Sequence, residues 1–327
     1  MKKIDVHAHY YSGSYCSELK KFGVEDVVGI PLSQIKSDSV DMRIRDMDES
    51  GIAVQILGLS APNVYFQDKE FSLALAQMIN DELREICVKY PDRFCCLASI
   101  PLVDMKYTLR ELDRAIDKLG MDGISLGTNI DGKPIESEEF LPFFEEINRK
   151  KVPVFLHPMH PRGSEFMRDY HTAAIIGFLF ETTLSVTKMV LSGLFEKYPE
   201  FPMILAHLGG TIPFLYKRID MGFQQREAAR KGIGETGKLP SDYLKKLYYD
   251  ATDSHPSALQ CTHQLVGEDH MVFGTDYPFS RGIRLPRGIE VIEKSDFTEE
   301  VKEKIFFRNA LKLMPRLERV IAQTGNL

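Results

Sequence analysis

Residues 4–10 read IDVHAHY, a short run of apolar and β-branched residues that ends in two histidines one position apart. Such a run predicts a buried strand over residues 4–6. Side chains at positions i and i+2 of a strand point to the same side, so we expect His7 and His9 to point together from the carboxyl end of this strand. Imidazole nitrogens bind zinc and similar divalent ions. The pair therefore suggests a metal site, although a hydrogen-bonded core histidine is the alternative for either residue.

Seven further apolar runs follow. Between most of them lie segments in which the apolar residues recur at helical spacing. The predicted strands cover residues 4–6, 53–57, 94–100, 123–126, 152–156, 203–206, 247–249 and 271–273. The predicted helices include residues 40–50, 71–89, 109–119, 138–150 and 183–197, and residues 232–242 are predicted as a loop. Short, continuous apolar strands are typical of parallel strands covered on both faces. Eight strand–helix alternations favour a (β/α)8 barrel, known as a TIM barrel, over an open doubly wound sheet, because no GxGxxG motif follows the first strand. We expect one domain over residues 1–327, with an amphipathic helical tail, 298–323, packing on the barrel.

Three more side chains of the metal-binding type stand where predicted strands end. His157 directly follows the fifth run, His207 follows the sixth, and Asp276 lies just beyond the eighth, in FGTDYPF (273–279). The active sites of (β/α)8 barrels are built at the carboxyl ends of their strands. Random placement of nine histidines would rarely produce this pattern. The sequence therefore predicts a metal-dependent site at that end of the barrel.

The composition argues against several other classes of protein. Of 327 residues, 41 are Lys or Arg and 47 are Asp or Glu, so the net charge is −6, and no basic block suggests nucleic-acid binding. The five cysteines form no CxxC pair, and this odd count disfavours a disulfide framework and suits the reducing cytoplasm. The N-terminus has no apolar signal-peptide core, and no apolar run reaches 18 residues, so we expect neither secretion nor a membrane span.

Nearly the whole chain resembles the amidohydrolase superfamily, and specifically its branch of amidohydrolase-related decarboxylases. The motifs that carry the resemblance are IDVHAHY (4–10), ILGLSAP (56–62), VFLHPMHP (154–161), FETTLSVTKMVLSG (180–193), ILAHLGGTIPFL (204–215) and FGTDYPF (273–279). The blocks HPMHP, FETT and HLGGTIPFL are most similar to the 6-methylsalicylate decarboxylase-like group. The resemblance implies a barrel of the metal-dependent hydrolase type that acts on a small carboxylic acid.

The resemblance also implies roles for individual residues. The metal ligands would be His7, His9, His157 and Asp276. His207 would act as the acid or base beside the metal, and some schemes for this branch make Asp276 the proton donor. Many binuclear amidohydrolases carry a carboxylated lysine at the end of the fourth strand, but here that end reads ISLGT (124–128). We therefore expect one divalent ion, with zinc as the first choice and manganese as the alternative.

The candidates for substrate binding are Glu181 in the FETT motif, His160 in HPMHP, Tyr10 near the rim, and Arg218. In aminocarboxymuconate-semialdehyde decarboxylase a neighbouring subunit donates the arginine that matches Arg218, which predicts a homodimer here. A salt bridge on the helix surface is the alternative for this residue. That enzyme carries a second substrate-binding arginine between strand one and helix one, but no arginine occurs over residues 10–42 here. A dicarboxylate substrate of that kind is therefore not expected.

The predicted reaction is the non-oxidative decarboxylation of a small hydroxyaromatic or unsaturated carboxylic acid. The metal can bind a carboxylate oxygen and an ortho hydroxyl together, while His207 protonates the ring carbon. The main alternative is a hydrolase in the same scaffold, in which the metal activates water to attack a lactone or amide. A third interpretation, a metal-binding protein without activity, is disfavoured because structural zinc sites are usually closed clusters rich in cysteine.

Overall fold

Eight parallel strands form the centre of the molecule. The computed structural model describes residues 1–27, 30–32, 34–35, 39–161, 163–167, 169–226, 232–233, 236–252, 254–282 and 284–318. The barrel strands are β1 (Lys3–His9), β2 (Ile52–Gly58), β3 (Phe94–Ser99), β4 (Gly123–Gly127), β5 (Val154–His157), β6 (Met203–Leu205), β7 (Tyr248–Asp250) and β8 (Met271–Val272). Each strand pairs in parallel with the next in this order. The predicted barrel is confirmed, and every predicted strand overlaps an observed one.

Backbone hydrogen bonds between the first strand and the segment after the last bring the two ends of the sheet together. The amide of Val6 donates to the carbonyl of Phe273 over 3.0 Å, and the amide of His9 donates to the carbonyl of Tyr277 over 2.6 Å. The amide of Asp276 donates in turn to the carbonyl of His7 over 2.8 Å. This junction places the two histidines of β1 next to the aspartate that follows β8.

Helices follow the strands and cover the barrel. They are α1 (Gly13–Lys21), α2 (Val40–Ser50), α3 (Lys69–Lys89), α4 (Met105–Asp113), α5 (Leu141–Lys150), α6 (Phe178–Leu191), α7 (Leu194–Lys197), α8 (Ile212–Gln225), α9 (Pro240–Leu244), α10 (Pro256–Val266), α11 (Arg284–Glu293), α12 (Glu299–Glu303) and α13 (Asn309–Leu313). Local chemistry sets their ends, as α2 illustrates. The side chain of Ser39 accepts a hydrogen bond from the amide of Met42, and Gly51 ends the helix at a φ of 66°.

The C-terminal helices pack against the barrel, as predicted. Ala310 and Leu313 of α13 join Met314 in a buried cluster with side chains of the strands, including Val6 of β1. Arg316 also holds the C-terminal segment against the barrel, because its guanidinium donates a hydrogen bond to the carboxylate of Asp122 over 2.6 Å. Residues 319–323 of the predicted tail lie outside the described residues.

The prediction of a loop over residues 232–242 is wrong in part. The described residues include a short helix, α9, that begins at Pro240 inside this stretch. Proline suits the first turn of a helix, and the carboxylate of Asp242 accepts a hydrogen bond from the amide of Leu239 over 2.8 Å. These two features start a helix that is too short to show helical periodicity in the sequence. Residues 234–235 are not among those described.

One segment of the described chain, Asp169–Leu191, is long and apolar enough to cross a membrane by length and composition alone. An 18-residue window within it has a mean hydropathy of 1.5, and 44% of that window is buried. The core helix of a globular protein meets the same criteria, so this feature is weak evidence for a membrane span. The expectation that the chain has no membrane span stays a prediction.

Candidate active site

Three imidazoles and one carboxylate converge at the carboxyl ends of the strands. The candidate ligand atoms of His7, His9, His157 and Asp276 all lie within 4.8 Å of one another. The Nε2 atoms of His7 and His9 are 2.9 Å apart, and Asp276 Oδ1 lies 3.1 Å from the Nε2 of His9. The three histidines are at most 3% exposed. Three ring nitrogens and a carboxylate oxygen, closely spaced and shielded from water, fit a single divalent cation.

Hydrogen bonds on the far side of two rings orient them toward this cluster. His7 Nδ1 lies 2.7 Å from Oδ2 of Asp250, a fully buried carboxylate at the end of β7. His157 Nδ1 lies 2.8 Å from the carbonyl of Pro158 and 3.2 Å from the hydroxyl of Ser60. An Nδ1–H that donates outward leaves the Nε2 lone pair free to bind a metal. Both rings therefore present Nε2 to the centre of the cluster.

The protonation of the cluster also suits metal binding. Burial lowers the pKa of His9 to about 4 and holds the pKa of His157 well below its usual value. Burial acts in the same direction on His7, but the carboxylates of Asp250 and Asp276 outweigh it and raise the pKa of His7 to about 10. Burial disfavours ionised Asp276, yet hydrogen bonds from the two histidines of β1 keep its pKa well below the usual range. The neutral imidazoles of His9 and His157 and the carboxylate of Asp276 can therefore bind a cation directly. Binding to His7 as well would displace its proton.

His207 stands beside this cluster on an unusual turn. It follows β6, and both it and Leu208 adopt left-handed backbone conformations, with φ values of 54° and 53°. Its amide donates to Oδ1 of Asp250 over 2.8 Å, and its ring centre lies 5.0 Å from that of His7. A Cβ at Gly210 would come within 2.1 Å of the carbonyl of Leu179, so the turn requires glycine there. Asp250 thus contacts both a candidate ligand and the candidate proton donor.

A cavity of about 740 Å³ opens above the cluster. It is lined by Tyr11, Val27, Ile30, Ser60, Ala61, His157, Ala174, Ile175, Phe178, Leu179, His207, Leu208, Gly210, Thr252, Ser254, His255, Ala258, Asp276 and Phe279. Two aromatic rings stand close to the candidate ligands: the ring centre of Phe178 is 6.1 Å from His157, and that of Phe279 is 5.9 Å from His9. Among the described lining residues there is no lysine or arginine. The cavity is thus mainly apolar, and its ionisable lining residues are His157, His207 and Asp276 in or beside the cluster, together with Tyr11 and His255.

Tyr11, rather than the predicted Tyr10, lines this cavity. The ring of Tyr10 faces the guanidinium of Arg43 at 5.8 Å and borders a different surface pocket. The ring centre of Tyr11 lies 6.5 Å from that of His9. Alternation along β1 explains the difference, because Tyr11 continues the i, i+2 series that begins with His7 and His9.

The other three candidates for substrate binding do not line the cavity of their own chain. Glu181 is buried, and its carboxylate accepts a hydrogen bond from the amide of Asn129 over 2.8 Å. His160 is exposed and borders a neighbouring pocket that also includes Asn129. Arg218 is exposed on α8, and the nearby Asp220 lies 3.9 Å from the ammonium of Lys217.

Sequence reasoning missed Asp250, although a signal was present. The carboxylate directly follows the predicted seventh strand, in the same relation that His157 has to the fifth. Ser254 and His255, just beyond, also line the cavity. The Oγ of Ser254 is buried and has no hydrogen-bond partner among the described residues, so it can bind a polar group of a ligand.

The fold and the site define a metal-dependent barrel enzyme of the amidohydrolase type, and comparison with known proteins gives the family directly. The sequence profile of the family described as "Amidohydrolase" matches residues 4–316, and the chain belongs to this family. It is 29% identical to 2-amino-3-carboxymuconate-6-semialdehyde decarboxylase of Dictyostelium discoideum, over 95% of this chain and 91% of the relative. It is 27% identical to 6-methylsalicylic acid decarboxylase of Penicillium expansum, over 98% of both chains.

A solved structure of the same kind aligns along the full chain. The dihydroxybenzoic acid decarboxylase of Polaromonas sp. JS666, with bound manganese and the inhibitor 2-nitroresorcinol, matches with a TM-score of 0.82 and 27% identity. The alignment covers 100% of this chain and 99% of that one. The predicted resemblance to the decarboxylase branch is therefore confirmed.

Proposed function

We propose that this protein is a metal-dependent, non-oxidative decarboxylase of a small hydroxyaromatic carboxylic acid, built as a single catalytic domain. The observation that carries the proposal is the convergence of three imidazoles and a carboxylate at the floor of an apolar cavity, with a further histidine beside them. The relatives described above are decarboxylases of unsaturated or aromatic acids. A cytoplasmic location belongs to the proposal, because all five cysteines are free thiols.

The proposed metal ligands are His7, His9, His157 and Asp276. A divalent ion bound there supplies a positive charge that binds and orients the carboxylate and an adjacent hydroxyl of the substrate. We propose zinc, because three imidazoles and one carboxylate suit it, and manganese is the alternative that the Polaromonas structure favours.

His207 is the proposed proton donor. Its ring stands beside the cluster and lines the cavity, so it can reach a substrate that the metal end holds. A decarboxylase of this type must place a proton on the ring carbon that bears the carboxylate, and loss of CO₂ then restores aromaticity. Asp276 is the alternative donor, but its lowered pKa and its contacts to two histidines favour a carboxylate that stays ionised. Phe178 and Phe279 can hold the substrate ring and keep water from it.

One experiment separates this proposal from the hydrolase alternative, which the named relatives do not favour. Metal-loaded protein is incubated without oxygen with a panel of hydroxybenzoic acids and a panel of lactone acids. We expect release of CO₂ and formation of the corresponding phenol. Ring-opened acid from a lactone, with no CO₂ from any aromatic acid, would contradict the proposed function.

We further propose that the active unit is a homodimer in which each subunit donates Arg218 to the site of the other. The adjacent helices α6 and α8 carry large apolar side chains that face solvent in the single chain. Phe180 and Leu184 are 52% and 55% exposed, and Phe214 and Met221 are 81% and 56% exposed. Exposed apolar residues in such numbers are typical of a protein interface. A two-fold interface over these helices would repeat every contact, so each subunit would give and receive one Arg218.

Complementation tests the shared site. Arg218→Ala removes the residue that a subunit would donate to the site of its partner, and His207→Asn removes the proposed proton donor of the subunit's own site. A heterodimer of the two variants would therefore contain one intact site. Random exchange of subunits should restore about a quarter of wild-type activity. If mass spectrometry shows that the subunits exchange and no activity returns, the shared-site proposal fails.

A further inference from the structure

The described lining of the cavity above the cluster divides into polar and apolar side chains. The metal end carries His157, His207 and Asp276, the segment after β7 adds Thr252, Ser254 and His255, and much of the remaining wall is apolar. The apolar wall consists of Val27, Ile30, Ala174, Ile175, Phe178 and Leu179. The first two come from two short antiparallel strands after α1, Asp26–Val27 and Ile30–Pro31. The others come from the π-helical segment Ala173–Gly177 and the first residues of α6. A ligand that fills this space therefore contacts both the ionisable groups of the metal end and a large apolar wall.

The charges in the described lining of one chain favour a ligand with a single carboxylate. A divalent ion in the cluster neutralises one such group, and the described lining offers no lysine or arginine for a second. In the proposed homodimer, Arg218 adds one cation per cavity, and we assign it to the same carboxylate. Another carboxylate against the apolar wall would lose its hydration, and the described side chains of that wall offer it no cationic partner, which strongly disfavours its binding.

The size of the cavity indicates that the ligand extends beyond a bare ring. Phe178 and Phe279 approach the candidate ligands, and an aromatic ring that contacts them occupies only the metal end. The volume of about 740 Å³ lies in the upper part of the range for cavities that hold drug-sized molecules. A hydroxybenzoate, with about ten non-hydrogen atoms, leaves most of such a space empty.

From these observations we propose that the substrate is a hydroxyaromatic monocarboxylic acid that bears an apolar substituent larger than methyl, held against the wall that includes Val27, Ile30 and Leu179. This proposal rests on the decarboxylase function proposed above and names the class of acid. The hydroxyl of Ser254, which lines the cavity and has no hydrogen-bond partner in the described part of the chain, is available to a ring hydroxyl.

A substrate series tests the proposal on the metal-loaded protein. The series consists of 2-hydroxybenzoic acids with a methyl, propyl or pentyl group at ring position 4, 5 or 6, together with benzene dicarboxylic acids that carry a hydroxyl. Burial of each methylene should strengthen binding up to about fourfold, so we expect the best propyl acid to have a KM roughly tenfold below that of its methyl counterpart. Better turnover of the dicarboxylic acids than of every alkyl acid would overturn the proposal.

A matched pair of variants tests the wall itself. Ile30→Lys places a cation in the apolar wall and should reverse the preference, weakening the alkyl acids and improving the dicarboxylic acids. Ile30→Met keeps a long apolar side chain and should retain the preference for alkyl acids. An unchanged preference in a folded Ile30→Lys protein would overturn the assignment of this wall to the substituent.

Failure of this proposal is distinguishable from failure of the proposed function. Binding of the acids is measured by calorimetry alongside release of CO₂. Tight binding of the alkyl acids without CO₂ would retain the inference about the cavity and overturn the decarboxylase function. Release of CO₂ with a preference for dicarboxylic acids would retain the decarboxylase function and overturn the inference about the cavity.

Discussion

Replacement of Asp250 with asparagine tests whether the buried carboxylate supports the metal site. Asparagine keeps an oxygen that can accept the amide of His207, as Oδ1 does now over 2.8 Å. It puts an amide NH₂ where Oδ2 now lies 2.7 Å from His7 Nδ1. A donor then faces a donor, and the ring of His7 loses its charged partner. A hydrogen bond to a charged group contributes about 1.5–3 kcal/mol.

This loss should appear in the affinity for the metal. A free energy of about 1.5–3 kcal/mol corresponds to a factor of roughly 10–100, the range seen when the partner of a metal-binding histidine is removed. We expect Asp250→Asn to bind zinc 10–100-fold more weakly, measured by competition with a chromophoric chelator, and to recover part of its activity in excess metal. Asp242→Asn, which removes a carboxylate from α9, is the matched control and should bind zinc like the wild type. Wild-type affinity in a folded Asp250→Asn protein would refute the reasoning.

Further predictions address the ligands and the proton donor. His157→Ala should lose both metal and activity, and full metal occupancy with normal turnover would remove this residue from the ligand set. His207→Asn should keep its metal but lose at least the ~100-fold typical of general acid–base catalysis, whereas recovery of full rate on metal addition would make it a ligand. Because metal binding must displace the proton that His7 holds up to a pKa of about 10, affinity for zinc should fall about tenfold per pH unit from pH 8 to 6. An affinity that stays constant over this range would contradict that protonation state.

The positions of the strands could be predicted because buried parallel strands are short apolar runs. The sequence predicts the second strand over residues 53–57, and the structure has Ile52–Gly58; it predicts the fifth over 152–156, and the structure has Val154–His157. The interruptions in the helices were not predicted. The helix expected over residues 183–197 begins earlier, at Phe178, and is broken at Gly193, where φ is 83°. A single glycine within an apolar helical pattern does not reveal whether the backbone turns there.

The candidate site could be predicted as far as it depends on strand ends. Residues at the carboxyl ends of parallel strands meet by topology, so the sequence suffices to bring His7, His157 and Asp276 together. Beyond the strands, side chains are oriented by contacts that the sequence does not show. The FETT motif predicts that Glu181 contacts the substrate. Its carboxylate instead accepts a hydrogen bond from the side-chain amide of Asn129, a residue that is distant in the sequence.

The junction between the first and last strands has a consequence for the order in which the site forms. Asp5 accepts a hydrogen bond from the hydroxyl of Thr275, 270 positions away along the chain, and the candidate ligands span nearly the same distance, from His7 to Asp276. A contact of such high sequence separation stabilises the fold only after the entropy of closing a long loop has been met. During synthesis the histidines of β1 leave the ribosome long before Asp276 does, so a nascent chain cannot complete the ligand set. A bound ion would then stabilise only the folded chain, in which the barrel has closed and all four candidate ligands have come together.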